Sequence, residues 1–309
     1  MKKIILIVLA AMVALTAAQA AADEFLIVVP NGAPAIAVAG VYADLPESVR
    51  VIGAADQIAE SFGSGEADFI IAPINVGAKL FKAGKSTYRL AAVVTWGNLV
   101  FASRVEGFTP DMIEGRRLVL FGENTQNASI ALYLLKKKDI TAGEIDYRIG
   151  AADTQALLMN DEEAESVVMT AEPAVTAAKI QAKNKGMNIV SWPLNDLYKE
   201  VTGYEGFPQA GVFVREKTVQ DNPEQILLGL KKIRESAELC ETDPETVAKT
   251  VVEMEIIKAE PVALKGLQGC GIRFVNALEA KEQIEFVAQI DLSQFGGEIP
   301  SDDFYYEAE

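Results

Sequence analysis

Phe25 to Val29 is an unbroken apolar run of strand length that stops at Pro30-Asn31-Gly32-Ala33-Pro34 and gives way to an Ala-rich segment, Ala35 to Tyr42. A buried strand, a loop of turn-forming residues and a helix, in that order, predict a unit whose strands run parallel. The helix is what carries the chain back over the sheet to the same edge. The unit recurs. Val49 to Gly53 is a second short strand, and Ala54 to Phe62 sets Ile58 and Phe62 on one helical face before Gly63 and Gly65 stop it. Phe69 to Ala72 is a third strand, and Ala72-Pro73-Ile74-Asn75-Val76-Gly77 opens a helix over Ala78 to Lys82. Tyr88 to Ser103 is a long extended stretch broken at Gly97.

The pattern then starts again. Arg117 to Phe121 reads as a strand, Gly122 to Asn127 as a polar loop, and Ala128 to Lys138 as a helix with Ile130, Leu134 and Leu135 on one side. Its last turn carries three lysines, where cations suit the helix dipole. Ile145 to Ile149, a helix over Thr154 to Asn160 and a strand over Ser166 to Met169 follow. Glu66-Ala67-Asp68-Phe69-Ile70-Ile71 and Glu163-Ala164-Glu165-Ser166-Val167-Val168, 97 positions apart, introduce strands in the same way. Past Phe207-Pro208-Gln209-Ala210-Gly211 comes a strand, Val212 to Arg215, and then a mainly helical tail. Its helices start at Asn222-Pro223 and Asp243-Pro244, a capping side chain followed by a proline at the first position, and a third covers Glu279 to Ile290. These segments predict two α/β lobes of similar build, each with helices on a mostly parallel sheet. The chain is expected to cross between them near Arg104 to Thr109 and to return near Tyr204 to Phe213. Residues 21–104 with 212–309 then form lobe one, and 105–211 form lobe two.

A length of 309 residues suits about two units of ~150 residues. The chain has no histidine, which removes Ser-His-Asp hydrolysis, Cys-His chemistry and His-ligated zinc, and two cysteines cannot build a thiolate zinc site. No metal and no cofactor are expected. A formal charge of −16 repels phosphate backbones and anionic headgroups, so nucleic acid is not an expected partner. Met1-Lys2-Lys3, the apolar stretch Ile4 to Leu15 and the small-x-small sequence Ala18-Gln19-Ala20 form an export signal over residues 1–20. That apolar stretch is shorter than the ~20 residues a bilayer needs. No cysteine lies near the cleavage point, so a periplasmic or secreted mature protein without a lipid anchor is expected. Cys240 and Cys270 sit in the tail, and their spacing leaves a disulfide and two buried thiols equally open.

Pro-Asn-Gly-Ala-Pro-Ala at 30–35, Gly-Glu-Ala-Asp-Phe-Ile-Ile-Ala-Pro at 65–73 and Ala-Glu-Pro-Ala at 171–174, in this order behind an export signal, resemble one family. It is the type II periplasmic solute-binding proteins of ABC importers, in the nitrate/sulfonate/taurine and thiamine-pyrimidine branch. The resemblance runs from about Phe25 to Ile290. It implies a bilobal receptor with a ligand cleft between the lobes, which closes on a small solute and presents the closed form to a membrane permease and its ATPase. Fungal pyrimidine synthases related to this branch depend on a histidine and a cysteine-rich motif, and this chain has neither.

Loops after the carboxyl ends of parallel strands face a crevice, where helix N-termini offer unpaired N–H groups. Here those loops are Asn31 to Pro34, Pro73 to Gly77, Asn124 to Asn127 and Thr170 to Pro173. Asn31 and Ala33 are candidates by position. Asn75 either caps its helix or meets a ligand; Asn124, Thr125 and Gln126 include a cap and further polar contacts. Glu172 is either a first-turn acid or a carboxylate that accepts from a ring N–H or an amine. Trp96 either packs in the core or stacks on a planar solute, with Asn98 beside it, and Gln209 lies on the return crossing. Lys79 is the one basic side chain close to these loops, which favours a neutral, zwitterionic or heteroaromatic solute over a multiply charged anion. Two other functions stay open at this level: a receptor that reports ligand to a sensor partner, and a histidine-free enzyme using acids such as Asp161-Glu162-Glu163 or Asp302-Asp303. A monomer is expected.

Overall fold

The computed structural model describes residues 25–53 and 55–307, and the export signal lies outside them. Two sheets organise the chain. The first contains β1 (Ile27–Pro30), β2 (Val49–Ile52), β3 (Phe69–Pro73), β4 (Tyr88–Thr95), β10 (Ala210–Arg215) and β11 (Ile272–Asn276), in the order β11-β4-β10-β3-β1-β2. The second contains β5 (Leu99–Ser103), β6 (Arg117–Phe121), β7 (Glu144–Arg148), β8 (Val167–Ala171) and β9 (Val190–Pro193), in the order β7-β6-β8-β5-β9.

The sheets repeat one plan. β1 lies parallel between β2 and β3, and β6 lies parallel between β7 and β8. An antiparallel strand then follows in each, β10 beside β3 and β5 beside β8, with β4 or β9 antiparallel beyond it. The likeness of the segments at 66–71 and 163–168 is thus one of place, since each leads into the strand between the central parallel strand and the antiparallel intruder. β11 extends the first sheet alone.

Both sheets are mixed, where mostly parallel ones are expected from sequence. The cause is an exchange of strands. β5 enters the second sheet directly from β4 of the first, and β10 returns to the first sheet after the second is complete, so neither follows a crossover helix within its own sheet. Sheet membership accordingly changes at residues 96–98, ahead of the expected Arg104 to Thr109, and β5 belongs with β6 to β9. The return spans residues 203–209.

Local chemistry places the elements. Asn222 and Asp243 accept from the backbone N–H of Gln225 and Thr246, so Pro223–Thr242 and Pro244–Glu253 begin where the sequence predicts. The helix Ile74–Lys82 starts earlier than expected, directly on β3, because Pro73 takes the cap position. Within it Gly77 is required: a Cβ there would lie 2.2 Å from Phe213. The tail is not purely helical. It contributes β11 as an edge strand, and residues 174–202, which show no clear pattern, form the helix Ala174–Asn184, β9 and the helix Leu194–Thr202.

One buried apolar cluster runs through both sheets, from Tyr88 and Phe213 in the first, with Phe62 of the helix Ala55–Ser64 beside them, to Phe101, Leu118 and Leu120 in the second. The helix Ala277–Ile290 helps to join them, packing on β4 and on the helix Gln126–Lys137. Its Phe286 meets the rings of Tyr133, Tyr198 and Tyr204 edge to face. Cys240 and Cys270 are free thiols, and Cys270 is buried with its Sγ 3.3 Å from the Gly266 carbonyl. No helix of the described residues is long and apolar enough to cross a membrane.

Candidate functional site

The two halves meet where the chain passes between sheets. At the first passage Trp96 N–H donates to the Gly271 carbonyl at 2.7 Å. Asn195, in the first turn of Leu194–Thr202, donates through Nδ2 to the carbonyls of Trp96 and Gly97 at 2.8 and 2.9 Å. The backbones approach too closely for side chains. A Cβ on Gly206 would lie 2.5 Å from the Trp96 carbonyl, one on Gly271 2.6 Å from that of Gly97, and Gly97 itself holds φ +78°. Both passages and the segment 266–271 therefore form one tightly packed joint.

Trp96, Asn98 and Gln209 belong to this joint. Trp96 is 3% exposed; its Nε1 donates to the Arg273 carbonyl at 2.9 Å, and the Arg273 guanidinium lies 4.5 Å from its ring centre. The core-packing reading of Trp96 fits this better than stacking on a solute, because Arg273 uses both its donor and a ring face. Asn98 exchanges hydrogen bonds with the Glu172 backbone, donating through Nδ2 to its carbonyl at 2.7 Å and accepting from its N–H at 2.8 Å. Gln209 Nε2 donates to Asn127 Oδ1 at 3.2 Å, and the Gln209 carbonyl accepts from Ile74 N–H at 3.1 Å.

The remaining candidates sit on the loops after β1, β3, β6 and β8. Asn31 and Asn124 are exposed, and Asn124 adopts φ 56°, a left-handed conformation asparagine tolerates. Ala33 is buried in the apolar cluster beneath the first sheet, so only its backbone is on offer. Asn75 is 8% exposed and does not cap its helix. Thr125 occupies the cap position of Gln126–Lys137 without capping it, since its hydroxyl donates to the Gly122 carbonyl at 2.5 Å. The first turn of that helix thus has no side-chain partner for its N–H groups. Gln126 is 6% exposed; its Nε2 donates to the Pro208 carbonyl at 3.1 Å, while its Oε1 is buried without a partner.

Glu172 is a second candidate left incomplete, and Asn195 Oδ1 at the joint is likewise without a partner. Glu172 Oε2 is the buried atom that lacks one. Burial pushes its carboxyl above the ordinary range, and Thr176 and the charge of Lys179 pull the other way without cancelling it. The side chain is packed against the segment that follows the helix Glu260–Gly266: a Cβ on Gly269 would lie 2.6 Å from Glu172 Cγ, and one on Gly266 2.8 Å from Pro173 Cβ. A buried acceptor without a donor costs about 1–3 kcal/mol, so two just beyond adjacent strands of one sheet mark a place where the protein has spent stability.

Asn195, Gly206, Gly269 and Arg273 escape a reading of the sequence. Asn195 lies in a helix that carries no clear pattern, and Arg273 lies on an edge strand inside the tail; only the glycines flanking Cys270 give a visible signal. A cavity of about 720 Å³ adjoins the β6 loop, lined by Gly122, Glu123, Tyr147, Arg148, Ile149 and Asp153 among others, and none of the candidates lines it. No group of three His, Cys, Asp or Glu among the described residues is placed to hold a metal ion.

This architecture, with two exchanged-strand sheets, is shared with solved structures described as ABC transporter or ABC-type import components. An ABC transporter structure from Parabacteroides distasonis is 19% identical, covers 93% of this chain and 100% of its own, and superposes with a TM-score of 0.77. The periplasmic aliphatic sulphonate-binding protein SsuA of Escherichia coli is 14% identical, with coverage of 93% and 94% and a TM-score of 0.67. A putative nitrate transport protein from Thermoplasma volcanium is 10% identical, with coverage of 89% and 95% and a TM-score of 0.56. At such identities the likeness is one of fold. No protein-family model and no curated protein matches the sequence.

Proposed function

We propose that the chain is the extracytoplasmic solute-binding component of an ABC importer. Its lobes follow the two sheets and close on a small organic solute, and the closed form is handed to a membrane permease driven by its ATPase. The observation that carries this reading is the placing of polar side chains at the ends of strands in both sheets. Asn75 after β3, Gln126 after β6 and Glu172 after β8 are buried or partly buried at loops of opposite halves, on a fold whose solved examples include ABC-type binding proteins.

A solute touching both sets of loops favours the closed arrangement by its extra contacts there, and no bond need be broken. Asn31, the Ala33 backbone, Asn75, Asn124, Thr125, Gln126 and Glu172 are the proposed contacts, while Trp96, Asn98 and Gln209 set the joint about which the halves move. The export signal expected over residues 1–20 fits a site of action outside the cytoplasm. Native mass spectrometry of gently purified protein tests the reading. It expects a small molecule retained unchanged at one per chain, and that compound should raise the melting temperature of emptied protein. Chemical turnover of the compound would contradict it.

A further inference from the structure

The far end of the first sheet carries a different chemistry. Arg215 closes β10 opposite Tyr88, the first residue of β4, whereas Ala210 at the start of β10 lies opposite Pro73, where the loop of Asn75 begins. A strand of that length sets Arg215 roughly 17 Å from the loop after β3, at the other edge of the sheet. A cavity of about 530 Å³ opens there, lined by Lys85, Ser86, Thr87, Arg215, Glu216 and Lys217 among others. Arg215 is partly buried, and a Cβ on Gly65 would lie 3.9 Å from its Nε, so the guanidinium sits against the turn at 63–65. Every other arginine of the described residues has a partner for its guanidinium. Arg50, Arg104, Arg116, Arg117 and Arg148 face carboxylates, Arg89 donates to the Asp303 carbonyl, Arg234 donates to Asn276 Oδ1, and Arg273 covers the Trp96 ring. Arg215 has none, and the acids around it are occupied. Glu66 pairs with Arg50, Asp221 pairs with Lys217, and the Asp68 oxygens accept from Leu26 N–H and the Thr218 hydroxyl. The other donors on the wall are open as well. The side chains of Lys85 and Thr87 have no partner among the described residues, and Ser86 Oγ accepts from Tyr88 N–H at 3.0 Å while its own hydrogen stays free. Glu216, the one carboxylate on the wall, is exposed. A carboxylate ligand has two oxygens, which the arginine fork alone would take; a tetrahedral oxyanion has further oxygens for Lys85 and the two hydroxyls.

We propose that this cavity is a second binding site, apart from the loops after β1, β3, β6 and β8, that takes a small phosphate-type oxyanion, either inorganic phosphate or a phosphomonoester. Arg215 holds two of its oxygens, and Lys85, Ser86 and Thr87 meet the others. A free ion suits the site better than the phosphates of an anionic membrane, because a small ion approaches only this cationic notch whereas a lipid surface meets the field of a chain with a formal charge of −16.

Calorimetry on the full chain at low ionic strength tests it, with inorganic phosphate, glycerol 3-phosphate and acetate as probes and phosphatidylglycerol vesicles as a separate arm. Phosphate or glycerol 3-phosphate should bind at one per chain, about tenfold or more tightly than acetate. Arg215→Ala should weaken that binding about tenfold or more, and Arg215→Lys, which keeps the charge and loses the fork, at least about threefold. Both variants should melt within about 2 °C of wild type without the ion, because Arg215 has no partner to lose, so lost binding is not lost folding. As a second readout, phosphate should slow the reaction of phenylglyoxal with Arg215 and leave that of the exposed Arg50 unchanged. Phosphate affinity indifferent to both Arg215 substitutions, acetate binding as tightly as phosphate, or binding to the vesicles without binding to either free phosphate compound would each overturn the proposal. None of these outcomes touches the solute-binding reading, which rests on other residues.

Discussion

In the first sheet, the loops after β1 and β3 end in an exposed Asn31 and a buried Asn75, while their counterparts in the second, after β6 and β8, end in Gln126 and Glu172 with one buried acceptor each left over. The strand plan is the same on both sides. The chemistry is not. The unpartnered acceptors of these loops lie in the second half, while the first offers an exposed Asn31 and a buried Asn75. The division is physically sensible. Groups held incomplete at a cost must be kept rigid, and Glu172 is held by Asn98 through its backbone and by the close approach of Gly266 and Gly269 around its side chain.

The largest effect expected from breaking the link between the halves is at Gly97. Gly97→Ala forces a left-handed conformation on alanine and drives a Cβ to 2.3 Å from Asn195 Oδ1 and 2.7 Å from Phe207, so about 3 kcal/mol should be lost in urea unfolding. Because one apolar cluster runs through both sheets, wild type and variant should each unfold in a single transition; separated transitions would show that the halves are independent.

Solute affinity sharpens the comparison between the loops. Glu172→Gln or Gln126→Leu should weaken binding of the retained compound about tenfold, roughly 1.4 kcal/mol, whereas Asn31→Ala should weaken it less than about threefold. Equal losses on both sides would erase the asymmetry.

The pH dependence of the emptied protein isolates Glu172 further. Its carboxyl is raised above the ordinary 4.5 by burial, so the folded state holds the proton more firmly than the unfolded one. Its contribution to stability therefore falls as pH rises from the unfolded value through the folded one, and levels off above that. Glu172→Gln lacks this loss, so its melting temperature should exceed that of wild type by a margin that widens across the same interval and vanishes below it. A margin independent of pH would place the carboxyl in water.

Smallest of all, Asn31→Ala should change stability by under about 0.5 kcal/mol in the same urea measurement, because the side chain is exposed.

Strands such as Arg117–Phe121 are legible in the sequence because a fully buried strand is an unbroken apolar run that Gly, Asn or Pro must end. The caps at Asn222 and Asp243 are legible for an equally local reason. The sheet to which a strand belongs is not a local property. Tyr88 to Ser103 looks like one extended stretch, yet Gly97 turns it so that β4 and β5 pair with different partners. β9 and β11 are short and only partly buried, which leaves them almost no pattern to read. At the site, loops at the ends of β1, β3, β6 and β8 follow from strand order alone. The role of Trp96 does not, since it depends on Arg273, which lies 177 positions away in sequence.

Small-angle scattering of the emptied chain, before and after adding the compound that native mass spectrometry recovers from it, tests the central claim most directly. A solute gripped between two halves should lower the radius of gyration and saturate at one molecule per chain. Saturable binding with an unchanged radius of gyration would contradict closure between the lobes.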